Sequence, residues 1–132
     1  MLKEWVDAFM EAKDGLRRDY AEHPPESYDD IVMRTVRAVG EKMGGFTVPD
    51  CDEITVVNDG GWQGTLVYII PEEGYQPREY WYVRVGYGSC SWCDAFLGIE
   101  QGDGTPDEKV DDYMAMSLHV VQGVHRMEGD VV

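Results

Sequence analysis

Positive charge is what this chain has least of. Eleven Lys and Arg side chains face 26 Asp and Glu in 132 residues, a formal net charge of −15. Direct contact with nucleic-acid phosphates needs the opposite sign, and so does adhesion to an anionic membrane. Long apolar runs are also missing: none approaches the roughly 20 residues that a bilayer span requires. The N-terminus, Met1-Leu2-Lys3-Glu4-Trp5-Val6-Asp7, is charged and periodic. It lacks the apolar block of a secretory signal, so a cytoplasmic protein is expected. Cysteines number three, an odd count that argues against a secreted disulfide framework and leaves reduced thiols, a metal site or a redox pair. Histidine is scarce too: His23, His119 and His125 make no recognisable catalytic pattern with Ser89 or Ser91.

What is present suits one folded domain spanning residues 1–132, long enough for a single hydrophobic core. Trp5, Phe9, Ala12, Leu16 and Tyr20 recur at steps of four and three, which predicts an amphipathic helix over 2–20. His23-Pro24-Pro25 stops it, because a residue before proline is pushed out of the helical region. Ser27 then offers an N-cap, with Asp29 and Asp30 in the first turn. Val32, Val36, Val39 and Met43 form the buried stripe of a second helix, which Gly44-Gly45 would end.

The middle of the chain reads as β-structure. Strands are expected at 54–57, 65–70 and 79–87, separated by the turn cluster Asn58-Asp59-Gly60-Gly61 and a connection over 72–78. Alternation in the third strand puts Trp81, Val83, Val85 and Tyr87 on one face and Tyr80, Tyr82 and Arg84 on the other. A brief helix over 94–99 follows. Thr105-Pro106-Asp107-Glu108 then starts a long helix with a capping box and proline at its first position. Its face continues through Val110, Met114, Ser117 or Leu118, Val121 and Val124 or His125 to about Met127. The expected fold is α+β: a three-stranded antiparallel meander with two N-terminal helices and one long C-terminal helix packed on it.

Three features carry candidate chemistry. Cys90-x-x-Cys93, at the end of the third strand, spaces two sulfurs to share a metal or form a redox ring. Zinc would need two more ligands from Cys51, His119 and His125, and Asp94 beside Cys93 opposes a thiolate. The third reading is a tight turn that displays Trp92. Gly86-x-Gly88 lacks the third glycine of a dinucleotide-binding turn. The second feature is the acidic stretch Asp94, Glu100, Asp103, Asp107, Glu108, Asp111 and Asp112, opposed by Lys109 alone. It lacks the ligand spacing of a calcium loop. Residues 1–45 hold 7 basic and 10 acidic groups, net −3, whereas residues 46–132 hold 4 and 16, net −12. Such a field attracts basic partners, and it also serves solubility. Third, Trp62, Tyr75, Tyr80, Tyr82 and Trp92, with Arg84, have the composition of an interface hot spot or of a core cover.

Gly61-Trp62-Gln63-Gly64-Thr65-Leu66-Val67 and the run Tyr82-Val83-Arg84-Val85-Gly86-Tyr87-Gly88-Ser89-Cys90-Ser91-Trp92-Cys93-Asp94 resemble a group of small phage and prophage proteins of unknown function. That group is marked by a Gly-Tyr-Gly-Ser-Cys-Ser-x-Cys-Asp turn, often with glycine where Trp92 stands. The resemblance implies a mobile-element origin and a host cytoplasm, and no catalytic residues.

Together, charge and resemblance lead to one expectation: a non-enzymatic phage-type protein that inhibits a host nucleic-acid-targeting enzyme, such as a CRISPR or restriction effector, by nucleic-acid mimicry. The acidic residues from Asp94 to Asp112 would dock on its basic groove, and Trp92, Tyr80 and Tyr82 would anchor. A metal- or thiol-dependent protein centred on Cys90 and Cys93, with zinc as the candidate cofactor, is the alternative. A phage structural or assembly component is the third.

Overall fold

The computed structural model describes residues 2–43, 48–58, 65–74, 79–86 and 105–126. Helix α1 (Lys3–Glu22) and helix α2 (Tyr28–Lys42) come first. Strands β1 (Thr55–Asn58), β2 (Thr65–Pro71) and β3 (Tyr80–Gly86) follow. Helix α3 (Pro106–Gln122) and a two-residue strand β4 (His125–Arg126) close the order. All strand pairings are antiparallel, in the order β1-β2-β3-β4. The class is α+β, as the pattern predicts, with a fourth strand added to the expected three.

That fourth strand corrects the expected end of the last helix. Gly123 stops α3, its N–H bonding back to the His119 and Val120 carbonyls. A Cβ there would come within 3.3 Å of both the His119 carbonyl oxygen and Val83 Cγ2, so a residue without one fits best. Val124 then enters the core, and His125 and Arg126 pair with Tyr82 and Trp81. His125 is therefore a sheet residue rather than a helix-end residue.

The start signals act as the sequence suggests. Ser27 Oγ accepts from the Asp30 N–H at 3.2 Å, while the Asp30 carboxylate accepts from the Glu26 N–H. Thr105 Oγ1 accepts from the Glu108 N–H at 3.2 Å. The Ser27 and Thr105 bonds each satisfy a donor that the first helical turn leaves free.

One core joins the layers. Trp5, Phe9, Leu16 and Tyr20 of α1, Ile31, Val32, Val36 and Val39 of α2, and Val110, Tyr113, Met116, Val120 and Val121 of α3 pack with Tyr68, Ile70, Trp81 and Val83 of the sheet. The buried stripe of α3 keeps the expected Val110, Ser117 and Val121 and widens to one side: Tyr113, Met116 and Val120 also point inward, while Met114 and Leu118 are half-buried. Trp5 meets Trp81 edge to face with ring centroids 5.3 Å apart, a geometry the ring quadrupoles favour. The Tyr20 hydroxyl and Ser117 Oγ share a buried hydrogen bond of 2.7 Å. Because Tyr20 meets Ser117 while Glu4 meets Arg126, α1 and α3 run antiparallel. All three helices therefore lie over the face that carries Tyr68, Ile70, Trp81 and Val83. No described helix is long and apolar enough to cross a membrane.

Candidate functional site

The acidic start of α3 is exposed as its sequence position suggests. Asp107, Glu108, Asp111 and Asp112 all face solvent. Asp107 and Glu108 lie in the first turn, where the helix dipole favours them. Asp111 forms an ion pair with Arg17 of α1, so one of the four charges is compensated within the fold. Asp107, Glu108 and Asp112 make no ion pair among the described residues.

Tyr80 and Tyr82 belong elsewhere. They project from the face of β3 opposite the described helices, beside Arg84. The Arg84 guanidinium sits 5.6 Å from the Tyr82 ring centre, and the His125 ring lies 5.4 Å from it. The sheet separates this aromatic patch from α3, so Tyr80 and Tyr82 lie on a different surface from Asp107, Glu108, Asp111 and Asp112. Trp92, Asp94, Glu100, Asp103, Cys90 and Cys93 lie outside the described residues, as do Trp62, Tyr75 and the expected helix over 94–99.

A second concentration of negative charge was missed in the sequence. The segment 48–53 runs beside the end of β2: Pro49 bridges Glu72, the Asp50 N–H bonds the Pro71 carbonyl at 2.8 Å, and the Glu73 N–H bonds the Val48 carbonyl at 2.7 Å. The Glu72 N–H in turn bonds the Glu79 carbonyl at 2.9 Å. These backbone bonds collect Asp50, Asp52, Glu53, Glu72, Glu73 and Glu79 at one corner of the sheet. Asp52, Glu53 and Glu73 are exposed. None of Asp50, Asp52, Glu53, Glu73 and Glu79 forms an ion pair among the described residues. A signal for this corner did exist, since a meander places the start of β1, the end of β2 and the start of β3 at the same end of the sheet.

Cys51 stands in that corner. Burial pushes its thiol above the ordinary range, and the Asp52 carboxylate adds to the effect, while Arg37 opposes it. A thiol so placed is protonated and a poor nucleophile at neutral pH. As zinc ligands, Cys51 and His125 do not converge, because Cys51 precedes β1 and His125 lies in β4 at the opposite edge. Among the described residues no group of three or more His, Cys, Asp or Glu is placed to hold a metal ion.

Carboxylates between the first two helices are arranged quite differently. Arg34 donates from Nε and a terminal nitrogen to both oxygens of Asp30, at 3.0 and 2.9 Å. Its other nitrogen reaches Asp19 at 3.4 Å and the His23 carbonyl. Its guanidinium also lies over the Tyr20 ring. No protein-family model, curated protein or solved structure matches this chain.

Proposed function

We propose that this chain is a non-enzymatic, phage-type binding protein that occupies the basic groove of a host nucleic-acid-targeting enzyme, a CRISPR or restriction effector, in place of nucleic acid. The observation that carries the reading is the carboxylate corner, where Asp50, Asp52, Glu53, Glu73 and Glu79 are gathered without an ion-pair partner among the described residues. Like charges held close repel one another and weaken the fold. A cationic surface removes that repulsion and gains charge-assisted hydrogen bonds. The exposed Asp107, Glu108 and Asp112 on α3 form a second negative surface, on the side of Arg17, and the resemblance to phage proteins supplies the biological setting. On the open sheet face, Tyr80 and Tyr82 offer anchors of the kind that dominate protein interfaces.

Titrating the purified chain against nucleic-acid binding by isolated CRISPR and restriction effectors tests the proposal. Displacement that follows simple competition is expected for at least one effector. If the chain binds an effector together with its nucleic acid, mimicry is excluded.

A further inference from the structure

We infer that the free edge of β1 captures an extended segment of the partner, a strand with Lys or Arg at one end, by adding it to the sheet. The inference rests on the acidic-binder reading above and specifies how that partner is held. β1 is the outermost strand in the order β1-β2-β3-β4. Its outer row of backbone N–H and C=O groups therefore has no strand beside it among the described residues. Val56 lies across from Tyr68, on the helix-covered side, yet it is 41% exposed where Tyr68 is 1%. Val57 points to the open side and is 44% exposed. Val56 and Val57 thus leave apolar surface exposed on both faces of the edge.

Edge strands in stable proteins are ordinarily guarded by lysine, proline or a bulge. Thr55-Val56-Val57-Asn58 has none of these residues, and its register with β2 advances one residue at a time from Thr55↔Ile69 to Asn58↔Leu66. What flanks the strand is acid. Asp50, Asp52 and Glu53 lie directly ahead of it, and Glu73 is tied to Val48 beside them.

That arrangement selects the occupant. A second copy of the chain would bring another net charge of −15 against the first. A segment with cationic residues beside its β-branched ones is attracted to the same place. Main-chain bonds along β1 would give it affinity, and side chains beside Val56 and Val57 would give it register, as in other strand-addition interfaces. The carboxylates at the head of β1 would choose the sign of its terminal residues.

The test uses the full chain and labelled peptides of alternating Thr and Val carrying two lysines at one end, in both orders. Matched peptides carry two glutamates instead. Fluorescence anisotropy should show one lysine peptide binding saturably, about tenfold or more tighter than its glutamate partner, with affinity falling as NaCl rises. Val57→Lys, at an exposed position, should keep the melting temperature and lose about tenfold or more in affinity. Val56→Lys should act the same way, and Asp52→Asn/Glu53→Gln should remove the preference for lysine.

Equal binding of lysine and glutamate peptides, or affinity untouched by both valine variants, overturns the inference. So does a concentration-dependent dimer that Val57→Lys dissociates, which would assign the edge to a second copy. The two readings fail separately. A Val57→Lys chain that still displaces nucleic acid from an effector sinks the edge alone. A chain that displaces nothing, but whose peptide binding needs Val57, sinks the nuclease partner alone.

Discussion

At the N-terminal end of α2, Asp19 and Asp30 close on Arg34, which is held by two carboxylates, a backbone carbonyl and an aromatic face. At the other end of the same helix, where Gly40 lies against Pro49, Asp50, Asp52, Glu53, Glu73 and Glu79 of the sheet corner form no ion pair among the described residues. Both regions are dense in negative charge, and their roles differ for a physical reason. A guanidinium fork bound at both carboxylate oxygens fixes the α1–α2 connection. In the corner the Asp50 carboxylate accepts one local bond, from the Asp52 N–H at 3.0 Å, and like charges gathered there without a cation add repulsion. Charge in the first region belongs to folding, and we propose that charge in the second serves a partner.

Arg34→Ala should give the largest loss, about 2–3 kcal/mol in denaturant unfolding, since Asp19 and Asp30 would be left partly buried without their donor. Arg34→Lys should recover only part of it, because an ammonium cannot bind both oxygens of Asp30 in parallel. Recovery in full would mean that charge alone, and not the fork, holds the helices.

Tyr68 offers an intermediate case. Its hydroxyl donates to Asp29 at 2.6 Å and is held above the ordinary tyrosine range, first by burial and then by the Asp29 carboxylate. A raised folded value means that the folded state keeps a proton the unfolded state releases. The contribution is therefore complete below a pH of about 10 and is lost as pH climbs beyond it. Tyr68→Phe should cost about 1–2 kcal/mol at neutral pH and flatten the fall in stability above that point. An unchanged alkaline slope would deny Tyr68 this role.

The corner should respond least, and in the opposite direction. Asp52→Asn/Glu53→Gln/Glu73→Gln should leave stability within about 0.5 kcal/mol or raise it slightly. The unaltered chain should gain thermal stability with added NaCl, and the triple variant should gain less. A loss above about 1 kcal/mol would show that these carboxylates have structural partners after all.

Helix faces were legible in the sequence because Trp5, Phe9, Leu16 and Tyr20 repeat at the period of a single element, and Ser27 and Thr105 act within one turn. The inward and outward sides of β3 were legible for the same reason. The end of α3 was not, because Val124 continues the helical spacing, and the crowding of Gly123 by Val83 and the His119 carbonyl exists only in the packed fold. The corner was legible only through the expected meander: its carboxylates come from three segments, and the order of the strands, rather than any local pattern, brings them together. The division of Tyr80 and Tyr82 from the acids of α3 also depends on layering, which linear proximity hides.

The most direct measurement is inhibition of effector cleavage at about 50 and 300 mM NaCl, with the unaltered chain and the triple-neutralised corner. Strong inhibition by the unaltered chain that fades with salt, and its marked weakening in the triple variant at low salt, is the predicted result. Equal inhibition by both chains at both salt concentrations would contradict the claim that the unpaired carboxylates await a cationic partner.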